Sequence, residues 1–151
     1  MDRERLLNDL MNTGVTAALI GGFALSNLQG TVEDEWLAVI AYLLSFASVH
    51  ACTCACLTSA MLYRHANMLG EEEAAAWANR HKLMISMPWY KFAMGCSSYI
   101  ISVIVMSLTA LEATDVARWL ALVIGIMSVS TVLMTMASIT KCKEDPPPAK
   151  A

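Results

Sequence analysis

The run WLAVIAYLLSFASVHACTCACLTSAMLY, residues 36–63, contains no Asp, Glu, Lys or Arg. A bilayer core about 30 Å thick is crossed by about 20 helical residues. A charge-free run longer than that predicts a spanning helix that tilts or projects beyond the lipid. Apolar stretches over residues 10–28, 83–111 and 117–139 have about the length of a span as well, with Lys91 and Arg118 their only charged residues. The expectation is an all-α polytopic membrane protein, a single four-helix transmembrane domain within residues 1–151. A cleaved signal peptide is the rival reading of residues 10–28. It would leave three spans, but the apolar stretch is longer than a typical signal core.

The composition of the 151 residues points the same way. Hydrophobic residues make up 57%, charged residues only 15%, and the mean hydropathy is +0.53. Average soluble domains are about 45–50% apolar and about 25% charged, so lipid is the natural solvent here. A net charge of -3 argues against a nucleic-acid partner, which needs a basic face. Trp36, Trp89, Trp119, Tyr63 and Tyr90 fall near span ends, where amphipathic rings prefer to sit.

Lys and Arg set the orientation. Arg3 and Arg5 precede the first span. Arg64, Arg80, Lys82 and Lys91 lie between or beside the second and third, and Lys141, Lys143 and Lys150 follow the fourth. Nine of the ten basic residues then share one side, with Arg118 the exception. Both termini are expected in the cytoplasm. The segment between spans one and two has no base, only Glu33, Asp34 and Glu35. Glu71 to Trp77 reads as a short solvated cytoplasmic helix. Pro88, near the start of the third span, is expected in a first turn, where it costs little.

Enzyme motifs are missing: there is no P-loop, HExxH, GxSxG or spaced CxxC pair. The chain is expected not to be an enzyme and to need no cofactor. His50, Cys52, Cys54 and Cys56 resemble a ligand cluster, but on a helix residues two apart point about 200° apart. His50 and Cys54 share one face, Cys52 and Cys56 another, so a four-ligand site cannot form from this run alone. Small-residue helix packing is the simpler use of it. His50 remains a titratable group within an apolar span, which is costly in lipid and usually faces a bundle interior or water. It either hydrogen-bonds a neighbouring Ser, Thr or Asn and locks two helices, or takes a direct part in moving ions.

The first span is narrow, with Gly14, Ala17, Ala18, Gly21, Gly22 and Ala24. At spacings of three and four, Val15, Leu19, Phe23, Ser26, Gly30 and Glu33 lie along one stripe. It is apolar at the cytoplasmic end and acidic outside. Copies of this helix around an axis would line a pore with a hydrophobic constriction and an acidic mouth. The alternative is that the stripe packs against spans two to four.

These residues resemble the Orai family, the pore subunits of calcium-release-activated calcium channels, over roughly residues 10–140. Gly22-Phe23-Ala24-Leu25 is like the family's Gly-Phe-Ala-Met stretch, and Val49-His50 like its Val-His pair. The stretch from Leu122 to Met127 is similar to a Leu-Ile-Pro-Val-Met segment. The resemblance implies a homo-hexamer in the membrane lipids, in the plasma membrane rather than an organelle, with six first spans around the pore. Phe23 matches the gate phenylalanine, Leu19 the leucine below it, Ser26 the valine one turn outward and His50 the supporting histidine. Glu33, Asp34 and Glu35 resemble the acidic mouth that gathers cations, calcium in that family. Ungapped counting puts the family's filter glutamate at Gly30, beside Gln29, and its inner basic residue at Val15. Glu33, one turn outward, is then the transient cation ligand. Gly125 stands where the family has a hinge proline. The tail from Lys141 is too short for the helix that receives the family's store-sensing activator. Two functions follow: a cation-channel subunit, or a non-conducting four-span subunit of a larger membrane complex whose small-residue first span is a docking face.

Overall fold

The computed structural model describes residues 2–29, 36–110 and 115–144, and within them the chain is all α, in five helices. They are α1 (Arg3–Asn27), α2 (Trp36–Met68), α3 (Glu71–Arg80), α4 (Lys82–Ala110) and α5 (Asp115–Glu144). Two compact units divide them: Met1–Met106, with α1 to α3 and most of α4, and Ser107–Ala151, with the end of α4 and α5.

The first unit is organised by small residues. Along α2 the buried positions Ala41, Ser45, Ser48, Cys52, Ala55, Ser59, Leu62 and Ala66 alternate spacings of four and three. That is a heptad seam, one continuous line down the helix. α1 packs antiparallel on its C-terminal half. A Cβ placed on Gly14 would come within 3.2 Å of Ser59 Cβ, and one on Gly21 within 3.2 Å of Cys52 Cβ. Small residues bring the backbones this close, so packing rather than bulk holds the pair.

α4 meets the other half of the seam through Gly95 and Ser102, one heptad apart. Ser48 Oγ donates to Gly95 O at 2.7 Å, and Ser102 Oγ donates to Ala41 O at 2.7 Å. The Ser45 and Ser102 hydroxyls are 2.6 Å apart. With Ser102 donating to Ala41, Ser45 is the donor of that pair. The buried hydroxyls of Ser45, Ser48 and Ser102 thus bond across helices. By contrast Thr13, Thr16, Ser26, Ser97, Ser128 and Thr131, all on exposed or half-exposed faces, return to a carbonyl three or four residues back at 2.6–2.9 Å. That return satisfies the hydroxyl without water.

Three local expectations change. α1 begins at Arg3, well before residue 10, because Leu6 and Leu10 bury against Leu62 and Ala66 and carry the helix through the charged segment. α4 begins at Lys82, so Pro88 lies inside the helix and not in its first turn. It leaves the Met84 carbonyl without its helical N–H. α3 matches the expected short helix but is not wholly solvated: Ala74 and Ala78 are buried and Trp77 packs against the Leu6–Leu62 cluster.

Two helices, α2 and Lys82–Leu108 of α4, are long and apolar enough to cross a membrane. In α5 the apolar stretch among the described residues, Leu122–Val132, is shorter. α1 is the least apolar of the four long helices, with Asn8, Asp9, Asn12, Thr13 and Thr16 in its first half.

Candidate functional site

On α1 the buried residues Leu6, Leu10, Gly14, Ala17 and Ala24 define the face turned to α2. The opposite face is open. Val15, Leu19 and Phe23 keep 58%, 57% and 56% of their surface exposed. Ser26 and Gln29 are exposed as well, and a Cβ on Gly22 would meet nothing within 4 Å. The stripe read from the spacing of these residues is therefore an exposed surface within the first unit, turned away from α2. Gly30 and the acidic residues Glu33, Asp34 and Glu35 lie outside the described residues.

The stripe also runs further than expected. At the same spacings of four and three it continues from Val15 through Asn12 and Asn8 to Arg5, all exposed. Its inner end is polar, not apolar. The charged approach to residue 10 reads as a tail in the sequence, so its helical continuation was not legible there.

His50 sits on the exposed face of α2, its ring 4.3 Å from the Phe46 ring at 65°. The α2 residues that pack with Ala17 of α1 are Cys52 and Ala55, with Cys56 alongside, so His50 is turned away from α1 of its own chain. Cys54 is exposed with it, whereas Cys52 is buried, the division of faces the helical spacing predicts. Among the described residues, no three or more His, Cys, Asp or Glu side chains are grouped to hold a metal ion. Gly125 is buried, and α5 continues through it without a break.

Two features had no clear signal in the sequence. A shallow groove of about 370 Å³ runs between α1 and α2, lined by Leu10, Gly14, Val15, Ser59 and Tyr63 among others. At one end of the bundle, Arg3 ties α1 to the end of α2. Its Nη2 donates to Asn67 O at 2.7 Å and Asn67 Oδ1 at 3.0 Å, and its Nε to Ala66 O at 3.4 Å. A guanidinium on the last carbonyls of a helix also opposes the negative end of its dipole. Beside this tie, Trp77 of α3 has ring contacts with both His65 and His81.

No family model, curated protein or solved structure matches this chain with significance.

Proposed function

We propose that the chain is a four-span membrane protein with both ends in the cytoplasm, and that it assembles with copies of itself so that α1 lines a cation path, as an Orai-like channel subunit would. The single observation that supports this is the outward stripe on the least apolar long helix. A lipid-facing helix gains from being apolar all round. α1 instead presents Asn8, Asn12 and Ser26 in line with Leu19 and Phe23, on the face turned away from α2. Water or another copy of α1 suits that face better than lipid.

In this reading Leu19 and Phe23 form the constriction that gates by dewetting. Glu33, Asp34 and Glu35 gather cations at the outer rim, and Glu33 holds one transiently. The alternative, a non-conducting subunit docked through its small-residue first span, has less to stand on: Gly14 and Gly21 already face Ser59 and Cys52 of the same chain.

The test is cysteine accessibility in a chain otherwise free of cysteine, reconstituted in lipid vesicles with cation flux as readout. A charged thiol reagent should block flux in the Phe23→Cys and Ser26→Cys chains and spare Ala24→Cys, whose side chain is buried. Equal protection at all three positions, or no flux from any chain, contradicts the proposal.

A further inference from the structure

His65 and His81 each bring a tilted ring beside Trp77, a cluster that neither the spans nor the α1 stripe uses. The His65 and Trp77 ring centroids are 4.9 Å apart and those of Trp77 and His81 5.9 Å. Both distances fall within the roughly 6 Å over which an indole ring draws a cation, with the rings tilted by 55° and 46°. Each histidine also occupies a helix C-terminal end: His65 is in the last turn of α2 and His81 is the C-cap of α3, its N–H donating to Trp77 O at 3.0 Å. Positive charge is favoured there by the helix dipole. Histidine is the side chain whose charge ordinarily changes between about pH 5 and 8.

The geometry points to a proton-operated clamp: when His65 takes up a proton, Trp77 holds α3 more firmly against α2, and a proton on His81, which touches Trp77 from the end of the same helix, firms that end of α3. The charged and titratable groups beside the three rings along their helices are Tyr63 and Arg64 of α2, Glu73 and Arg80 of α3 and Lys82 of α4, with Arg3 of α1 at the end of α2. The Glu73 carboxylate already accepts from Gly70 N–H at 3.3 Å. Arg3 is already engaged by the Ala66 and Asn67 oxygens. Arg64, Arg80 and Lys82 are exposed, so water and salt screen them.

The clamp belongs to the same packed cluster as the start of α1. Leu6, Leu10, Leu62, Ala66 and Ala78 form its core, with Trp77 and Ile85 against it. Proton uptake therefore bears on the anchorage of α1 whether or not the chain conducts ions.

The test uses the full chain in lipid with Trp77 as its only tryptophan, the other three being replaced by Phe. Acidification from pH 8 to 5 should quench Trp77 emission, since a protonated imidazole in contact with indole is a quencher. Hydrogen-exchange protection of residues 71–80, corrected for the intrinsic pH dependence, should rise about two- to fivefold, as one exposed cation–π pair implies. His65→Gln and His81→Gln should each reduce both effects, and the double variant should abolish them. Emission and protection that stay flat with pH in the unsubstituted-histidine chain overturn the inference without recourse to any variant. So does a pH response that survives in a folded double variant.

Discussion

At Gly95 α4 lies close against α2. A Cβ there would run into Cys52 Sγ and lie 3.3 Å from both Cys52 N and Ser48 O, which are backbone and cannot move aside. Gly95→Ala should therefore lower stability by about 1–3 kcal/mol, the usual range for overpacking, measured by reversible unfolding in detergent. Adding Cys52→Ala should recover only part of the loss, because the backbone contacts remain. Gly22→Ala is the counterpart: its Cβ meets nothing, so the change should be neutral or stabilise by up to about 1 kcal/mol through helix propensity. The seam's serines divide in the same way. Ser102 both donates and accepts, so Ser102→Ala should cost about 1 kcal/mol, as interhelical hydrogen bonds in membrane proteins do. Ser59 is buried against Gly14 and its hydroxyl has no hydrogen-bond partner. Ser59→Ala should cost nothing measurable. A larger loss at Ser59 than at Ser102 would mean that these hydroxyls do not hold the seam as described.

The elements differ in how they are held. α2 is the spine: its seam receives α4 over Ala41 to Cys52 and α1 over Cys52 to Ala66. α1 is fixed at its start by Arg3 and by Leu6 and Leu10, and further along by close backbone contact. Arg3→Ala should accelerate hydrogen exchange over residues 3–8 by roughly tenfold, the loss expected for a charge-assisted bond of about 1.5 kcal/mol. Residues 17–27 should be unaffected. Acceleration along the whole helix would mean that Arg3 holds α1 as one unit. α2 was legible from its charge-free length, and the α1 stripe from spacings of three and four. The start of α1 and the packing of α3 were not. Asp2-Arg3-Glu4-Arg5 looks like a solvated tail, and only tertiary contact at Leu6 and Leu10 makes it helical. Ala74 and Ala78 are too small to announce a buried face.

Across the described residues the pattern of a water-soluble fold is inverted. Ala, Gly and Ser fill most of the interior beside the Leu6, Leu10 and Leu62 cluster, while Leu43, Phe46, Leu57, Met61, Ile124 and Met134 stand exposed. Water-soluble proteins bury such side chains, each worth about 1.5–3 kcal/mol. A surface of this kind suits lipid, where close packing and hydroxyl bonds replace the hydrophobic effect as the glue between helices. The spacing in the sequence placed Val15, Leu19, Phe23 and Ser26 on one stripe but could not say which way it faced. Direction depends on which α1 residues fit the small-residue line of α2, a property of two surfaces together. That outward direction underlies the functional proposal. The most direct test is oxidative cross-linking in lipid vesicles of chains carrying one cysteine each. Leu19→Cys and Ser26→Cys should form inter-chain disulfides readily, and Met61→Cys on the exposed face of α2 should not. If the α1 positions cross-link no faster than Met61→Cys, α1 does not meet its copies and the conduction account fails.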